Sequence, residues 1–168
     1  MKHEVEKILR VNVTADKIWE VLGDFSSVER YASTIKSSPI LGDISSGLGA
    51  KRLNTFYNGT SLIEEITAYQ EGKGFKMKLS EYSFPLKYMN SEVGVKAIDA
   101  KSCELSMSAN FVVKAGPIGW VMGFFMMRPM MKGVFEKQMR CLAYHCVTGK
   151  RIDEELPSDD ELVKIILN

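Results

Sequence analysis

Histidine and cysteine are scarce in this chain, which narrows the chemistry it can perform. Only two of its 168 residues are histidine, His3 and His145, and only three are cysteine, Cys103, Cys141 and Cys146. No two cysteines form a C-x-x-C pair, so the sequence predicts neither a zinc site nor a disulfide scaffold. We therefore expect no metal ion and no cofactor, three buried reduced thiols, a solvated His3, and a His145 that stabilises the end of a helix.

The chain also lacks a large net charge, and we expect it to have no export signal. Its formal net charge is +1 with both signs interspersed, so no basic surface indicates a nucleic-acid partner. The first residues, M-K-H-E-V-E-K, are more polar and more acidic than a secretory or transit peptide. With 45% hydrophobic and 26% charged residues, the composition is that of a globular protein, which we expect to be cytoplasmic.

A long hydrophobic run is missing as well. The uncharged stretch from Ala115 to Met127 has 13 residues, whereas a helix that crosses a membrane needs about 20. Arg128 and Pro129 end this stretch, so we expect no transmembrane segment. A helix lying on a membrane surface is a further interpretation that allows a transient contact, although the basic residues that follow are mixed with Glu136.

Alternating apolar residues are the clearest structural signal that is present. Residues 5 to 13 alternate as a half-buried strand does, and Thr14 or Asp16 can cap the helix that follows and ends at Gly23. Ser26 or Ser27 can cap a second short helix. From 35 to 114, alternating segments are separated by turn residues, and Asn58-Gly59 is the strongest hairpin signal. Successive strands without intervening helices must be antiparallel.

One long helix is predicted from about 117 to 147, with a kink or break at Pro129. It is the only predicted element long enough to cover the apolar face of the sheet, so we expect a sheet curled around it. We assign residues 1–149 to this domain and residues 150–168 to a C-terminal tail with a short helix. The predicted fold class is α+β.

Methionine is concentrated in the same helix. Six of the ten methionines lie between 114 and 139, and a flexible thioether fills irregular space better than it specifies a tight core. The helix is also apolar nearly all round from 118 to 127. The composition is equally compatible with an ordinary core and with one wall of a cavity that contacts a ligand.

Several strings, in order, resemble the START-like or Bet v 1-like (SRPBCC) superfamily of helix-grip proteins, and most closely its polyketide cyclase/dehydrase and lipid transport family. The segment V-N-V-T-A-D-K-I-W-E-V-L-G-D-F at 11–25 is similar to the family's opening, and Tyr31 stands where the family usually has tryptophan. Further similar strings are G-L-G-A-K-R at 47–52, L-I-E-E-I-T-A-Y at 62–69 and G-P-I-G at 116–119. The resemblance implies a sheet of about seven antiparallel strands around a C-terminal helix, with a hydrophobic cavity between them.

Glu64 and Arg128 are the candidates for a polar or catalytic role in such a cavity. Glu64 occupies the family's glutamate position, although one member of the pair Glu64-Glu65 must point outward. Arg128 is a lone charge within the apolar helix and is placed to meet a buried carboxylate such as Glu64. Secondary candidates are Arg52, Tyr57, Tyr82 and Tyr88. The predicted ligand-contact residues are Trp19, Tyr31, Phe56, Glu64, Phe75, Met77, Tyr88, Met107, Phe111, Met122, Phe125, Met126, Arg128, Met130 and Phe135.

Three functions are compatible with this pattern. The first is binding or transport of a lipophilic small molecule, such as a lipid, a sterol or a polyketide-like compound. The second is a cyclase or dehydratase that uses the same cavity, and the third is a protein-interaction module that uses the Met-rich helix and the tail. The small number of general acid and base candidates favours the first.

Overall fold

The computed structural model describes residues 2–167, which form a nine-stranded sheet and one long interrupted helix. The strands are β1 (His3–Val11), β2 (Ile35–Ser37), β3 (Ile40–Leu41), β4 (Lys51–Phe56), β5 (Ser61–Gln70), β6 (Gly74–Ser80), β7 (Leu86–Ala97), β8 (Cys103–Val113) and β9 (Ile166–Leu167). The helices are α1 (Ala15–Leu22), α2 (Gly116–Met122), α3 (Arg128–Thr148) and α4 (Asp159–Leu162). A 3₁₀ helix spans Phe25–Arg30, and a π-helical turn, Gly123–Met127, joins α2 to α3.

The sheet is antiparallel between all neighbouring strands. Its order is β2-β4-β5-β6-β7-β8-β1-β9, with β3 also paired to β4. This arrangement confirms the predicted α+β helix-grip fold. The strand number exceeds the expected seven because β3 and β9 add two residues each, too few to leave an alternating pattern in the sequence.

One apolar face of the sheet packs against α3. Along β8, every second residue from Cys103 to Val113 is buried. Met131, Phe135 and Met139 of α3 are buried in the same hydrophobic cluster as these strand residues. The two periods, two residues in the strand and about four in the helix, bring the apolar faces together as the sequence predicts.

The two short helices after β1 begin at side-chain caps. The Thr14 hydroxyl accepts a hydrogen bond of 3.3 Å from the backbone N–H of Lys17, as expected of one of the two proposed caps. The second cap is Asp24, whose carboxylate accepts from the backbone N–H of Ser26 at 3.2 Å. The expectation of Ser26 or Ser27 as a cap was wrong because the 3₁₀ helix begins earlier, at Phe25.

The long helix is interrupted next to Pro129, where the sequence predicts a kink or break. In the π-helical turn, the backbone N–H of Arg128 donates to the carbonyl of Gly123, five residues earlier. This wider turn precedes the proline, which lies at the start of α3, where a missing N–H leaves no helical hydrogen bond broken. Gly149, with φ +69°, ends α3 in the left-handed conformation.

The C-terminal tail packs against the domain and extends its sheet. It contains the predicted short helix, α4, and buries Ile152, Leu162 and Ile165. The backbone N–H of Asn12 donates to the carbonyl of Ile165 at 2.7 Å, and β9 continues this pairing along the edge of β1. The strand pairing was not predicted, because a two-residue strand has no sequence signature.

His3 is buried, contrary to the expectation that it would be solvated. Its imidazole stacks on Phe111 with ring centroids 5.2 Å apart and lies 5.8 Å from the ring of Trp120. The side chain points inward because His3 begins β1 two residues before Val5, and both residues face the buried side of the strand. Cys103, Cys141 and Cys146 are free and buried, as predicted. Among the helices of residues 2–167, none is long and apolar enough to cross a bilayer.

Candidate functional site

A cavity of about 510 Å³ lies between the sheet and α3. Its wall is mostly apolar because the inward residues of four neighbouring strands meet the inner face of the helix. The strands contribute Leu62, Phe75, Met77, Leu79, Val93, Leu105 and Met107, and α3 contributes Met131, Phe135, Met139 and Leu142. The volume falls in the range of typical small-molecule sites, roughly 300–1,000 Å³.

The cavity opens where its wall residues are themselves exposed. Tyr57 of the β4–β5 loop, Phe84 of the β6–β7 loop, and Met130 and Val134 of α3 all line the cavity and are 37–49% exposed. Lys137 and Glu154 also line it and carry opposite charges. We call the opening formed by Tyr57, Phe84, Met130 and Val134 the mouth of the cavity.

One buried ion pair lies on the cavity wall. Arg52 of β4 and Glu64 of β5 are directly opposite each other in the antiparallel register and both line the wall. The guanidinium donates to Glu64 Oε2 from Nε at 2.7 Å and from Nη2 at 2.6 Å. The Asn54 amide donates to the same oxygen at 2.9 Å. Glu65, the neighbour of Glu64, points outward and lies 3.6 Å from Lys51.

The surrounding structure holds Arg52 in place on every side. Its Nη1 donates to the backbone carbonyl of Phe25 at 2.7 Å, and its guanidinium carbon lies 3.9 Å above the centroid of the Phe25 ring. Only 3% of the Arg52 surface is exposed. The Ser38 hydroxyl donates to Asn54 Oδ1 at 2.6 Å, which fixes the amide that supports Glu64.

The polar atoms on the cavity wall that have no hydrogen-bond partner within residues 2–167 include one oxygen of Glu64 and the Tyr31 hydroxyl. All the hydrogen bonds of the Glu64 carboxylate go to Oε2, which leaves Oε1 free. The Tyr31 hydroxyl makes none. Neither atom is among the polar side-chain atoms sealed from solvent without a partner, which in this part of the chain are His3 Nε2 and Arg140 Nε. Both are therefore accessible from the cavity. Burial raises the pKa of Tyr31 to about 12, so its hydroxyl stays protonated.

Eight of the predicted ligand-contact residues lie on the cavity wall. They are Tyr31, Phe56, Glu64, Phe75, Met77, Met107, Met130 and Phe135. Each belongs to an inward-facing position of the sheet, to the loop after the first helices, or to the inner face of α3. The structure therefore brings these residues together around one space.

The other seven predicted residues lie outside this cavity wall: Trp19, Tyr88, Phe111, Met122, Phe125, Met126 and Arg128. Trp19 packs against Tyr69 and donates to Glu71 at 3.0 Å, and Phe111 is buried beneath His3. Phe125 and Met126 are 71% and 65% exposed. Their segment lies outside the cavity because only the part of the helix from Met130 onward lines it.

Arg128 does not meet Glu64. Its guanidinium carbon lies 5.0 Å above the ring of Phe124, on the segment that precedes the cavity. The partner of Glu64 is Arg52, which the sequence offered only as a secondary candidate, and Asn54 was missed altogether. The alternation of Arg52 and Asn54 along one strand is the signal that could have placed them on the same face.

No metal site accompanies the cavity in the part of the chain that the structure describes. No group of three or more His, Cys, Asp or Glu side chains is arranged to hold an ion there. His145 lies in the last turn of α3, with Nδ1 2.6 Å from the carbonyl oxygen of Lys150, just after the end of the helix.

Comparisons with known proteins agree with this architecture. The family model for polyketide cyclase/dehydrase and lipid transport matches residues 2–146. No curated protein matches the chain.

Solved structures share the fold at low identity. An uncharacterised protein from Bacillus thuringiensis has a TM-score of 0.71 at 15% identity, and the match covers 86% of this chain and 99% of that one. A protein from Thermobifida fusca has a TM-score of 0.70 at 20% identity, with 89% and 96% covered. Norcoclaurine synthase from Thalictrum flavum, solved with dopamine and hydroxybenzaldehyde, has a TM-score of 0.61 at 18% identity, with 80% and 83% covered. Likeness at this identity shows the fold alone.

Proposed function

This chain belongs to the polyketide cyclase/dehydrase and lipid transport family, and from that premise we propose that it binds and carries a lipophilic small molecule in the cavity between its sheet and α3. The family binds small hydrophobic ligands. The observation that carries the proposal is a 510 Å³ space walled by apolar side chains, with Arg52 and Glu64 as its buried ion pair. Burial of an apolar ligand surface in such a space is favourable by about 25 cal/mol per Å².

Native mass spectrometry of freshly purified protein, followed by organic extraction, tests this proposal. We expect a bound lipophilic compound, or binding of the neutral dye Nile red at micromolar concentration to the emptied protein. Protein that is purified empty and that binds neither Nile red nor long-chain alcohols would show that the carrier function is wrong.

A matched pair of variants on one helix locates the binding. Met130 lines the mouth and is 49% exposed, whereas Met126 is 65% exposed and lies off the cavity wall. Both positions tolerate a charge because both side chains reach solvent. Met130→Glu should weaken Nile red binding about tenfold through the loss of apolar contact, and Met126→Glu should leave it unchanged. Equal effects of the two variants would place the dye outside the cavity.

The exposed face of the first half of the helix favours a transient membrane contact during loading. Ile118, Val121, Phe125 and Met126 are 49–79% exposed, and they continue into Met130 at the mouth. We call these five residues the outer helix face. Apolar side chains exposed together at this density are typical of a surface that meets a partner or a lipid phase.

The charges beside the outer helix face favour an anionic surface. Lys114, Arg128 and Lys132 lie within or next to this segment, and the sequence has no acidic residue between Glu104 and Glu136. Glu136 itself is paired with Lys7 at 2.7 Å and with Arg140 at 3.0 Å. In the sequence, Glu136 interrupts the series of basic residues, but in the fold its charge is balanced by Lys7 and Arg140. Basic residues around an apolar face are the pattern of interfacial helices.

Vesicle flotation tests the membrane contact. We expect binding to vesicles of equal parts phosphatidylcholine and phosphatidylglycerol, weaker binding in high salt, and little binding to phosphatidylcholine alone. Phe125→Asp should abolish the binding, whereas Leu48→Asp, at a loop position that is 65% exposed, should retain it. If the protein does not float with these vesicles, the outer helix face binds no membrane. The same conclusion follows if light scattering shows a dimer that Phe125→Asp dissociates and Leu48→Asp does not.

Catalysis of the cyclase or dehydratase type is a second candidate function, favoured by the free Oε1 of Glu64 at the cavity. That carboxylate could accept a proton from a carbon between two carbonyl groups of a polyketide chain, while the Tyr31 hydroxyl donates to the enolate oxygen that forms. Turnover of poly-β-keto substrates that Glu64→Gln abolishes, with binding retained, would establish it. Binding without turnover would leave the carrier function.

A further inference from the structure

The polar end of the cavity is electrically balanced before any ligand arrives. Arg52 uses all three of its nitrogens, two on Glu64 Oε2 and one on the carbonyl of Phe25. No further Arg or Lys lies beside this pair on the wall: the remaining cation among the lining residues, Lys137, is on α3, and Glu154 of the tail carries the opposite charge. An anionic head group that reached Glu64 would meet a carboxylate whose counter-charge is already engaged.

Two of the free polar atoms on the cavity wall are an acceptor, Glu64 Oε1, and a hydroxyl, that of Tyr31. Glu64 Oε1 has two lone pairs and no partner within residues 2–167, and its sister oxygen takes every donor. The Tyr31 hydroxyl is also unpartnered and lines the same cavity.

A ligand hydroxyl satisfies both atoms at once, because it donates one hydrogen bond and accepts another. It can donate to Glu64 Oε1 and accept from the Tyr31 hydroxyl. A carboxylate cannot donate to Glu64, an ammonium group cannot accept from Tyr31, and an ether offers no donor. A buried carboxylate oxygen without a donor is unfavourable, so the site discriminates between these head groups.

Resting on the proposed carrier function, we propose that the ligand is an alcohol or phenol whose hydroxyl group binds between Glu64 Oε1 and Tyr31, and that fatty acids of the same chain length are rejected. The apolar body of the ligand then lies along the methionines and aromatic residues toward the mouth.

Displacement of Nile red by four ligands with one dodecyl chain tests this inference: dodecanol, dodecanoate, dodecylammonium and dodecyl methyl ether, each below its aggregation concentration. We expect the alcohol to bind about tenfold more tightly than each of the other three, the effect of one hydrogen bond to a charged acceptor. Tyr31→Phe should remove part of this preference without lowering the affinity for the ether.

Glu64→Gln gives the most specific result. It removes the negative charge and leaves the Arg52 charge unpaired, so dodecanoate should gain about tenfold in affinity while dodecanol loses its advantage. Glu65→Gln is the matched control, because Glu65 is the adjacent residue and points away from the cavity toward Lys51. It should leave the whole ligand series unchanged.

The outcomes separate this inference from the carrier function. If Nile red and all four ligands fail to bind, the carrier function itself is wrong. If the wild-type protein binds the four ligands equally, or binds dodecanoate best, the cavity is a carrier site but the head-group inference is wrong. Thermal denaturation identifies a Glu64→Gln variant that does not fold, and in that case the wild-type series and Tyr31→Phe decide the question.

Discussion

Arg52 and Glu64 face each other across neighbouring strands and form an ion pair of 2.6 Å, with 4% and 13% of their side chains exposed. Removal of two charges from water costs several kcal/mol per ion, and their mutual attraction often does no more than offset that cost. Two apolar residues at positions 52 and 64 would stabilise the fold at least as much as the ion pair does. The pair therefore indicates a role in the cavity rather than a contribution to stability.

Arg52→Met should destabilise the protein by about 3–5 kcal/mol, because it leaves the Glu64 charge buried without its partner. Urea denaturation measures the free energy of unfolding. Lys51→Met is the matched control: it breaks the exposed pair with Glu65 on the adjacent, outward positions, and should change stability by less than about 1 kcal/mol. Similar losses in the two variants would contradict the buried-pair assignment.

The partner of Glu64 could not be predicted from the sequence because the register of one hairpin was not determined. A two-residue Asn58-Gly59 loop would pair Arg52 with Glu65. The observed loop is longer: Thr55 pairs with Ser61, and the backbone N–H of Gly59 donates to the carbonyl of Phe56 at 3.0 Å. A shift of one residue exchanges the two faces of a strand. It thus decides which glutamate faces the cavity.

The fold was easier to predict than the residues of the site. The alternation in β8 is long and regular, and Met131, Phe135 and Met139 recur every four residues in α3, so these patterns predict both elements and their buried faces. The segment from Ile118 to Met126 is apolar on all sides, and its sequence contains nothing that distinguishes an inner face from an outer one. Phe125 and Met126 were therefore assigned to the cavity, although the packing leaves them on the surface.

Gly123→Ala should destabilise the protein by roughly 1–3 kcal/mol through overpacking. A Cβ at Gly123 would overlap His3 Nε2, whereas a Cβ at Gly133 would have no neighbour within 4 Å. Gly133→Ala should instead stabilise the protein by up to about 1 kcal/mol, since alanine is the better helix former. Thermal denaturation of both variants checks this, and a stabilising Gly123→Ala would contradict the tight packing of the helix over β1.

Leu162→Ala should lower the free energy of unfolding by about 2–4 kcal/mol, because the tail packs against the hydrophobic core. Leu162 is 5% exposed, and its neighbour Val163 is 68% exposed. Val163→Ala is therefore the matched control and should change stability by no more than about 0.5 kcal/mol. Urea denaturation measures both. If the two substitutions had equally small effects, residues 150–167 would form a dispensable appendage.

Stability should fall as the pH drops below about 6.5, the ordinary pKa of histidine, because His3 is buried in its neutral form. Burial lowers the pKa of His3, and the positive charge of Arg128 lowers it further. Its Nε2 has no partner within residues 2–167, and the Phe111 and Trp120 rings that stack on it carry no charge. The unfolded chain therefore takes up the proton first, and its uptake favours unfolding.

His3→Phe isolates this contribution. Phenylalanine keeps the stacking on Phe111 but does not titrate, while every carboxylate of the protein is the same in both chains. We expect the free energy of unfolding of the wild-type protein to decrease relative to that of the variant as the pH falls from about 7 toward the lowered pKa of His3. Urea denaturation across this range provides both curves. Curves that stay parallel would mean that His3 is protonated as easily in the folded protein as in the unfolded chain, and that its burial under the helix has no electrostatic consequence.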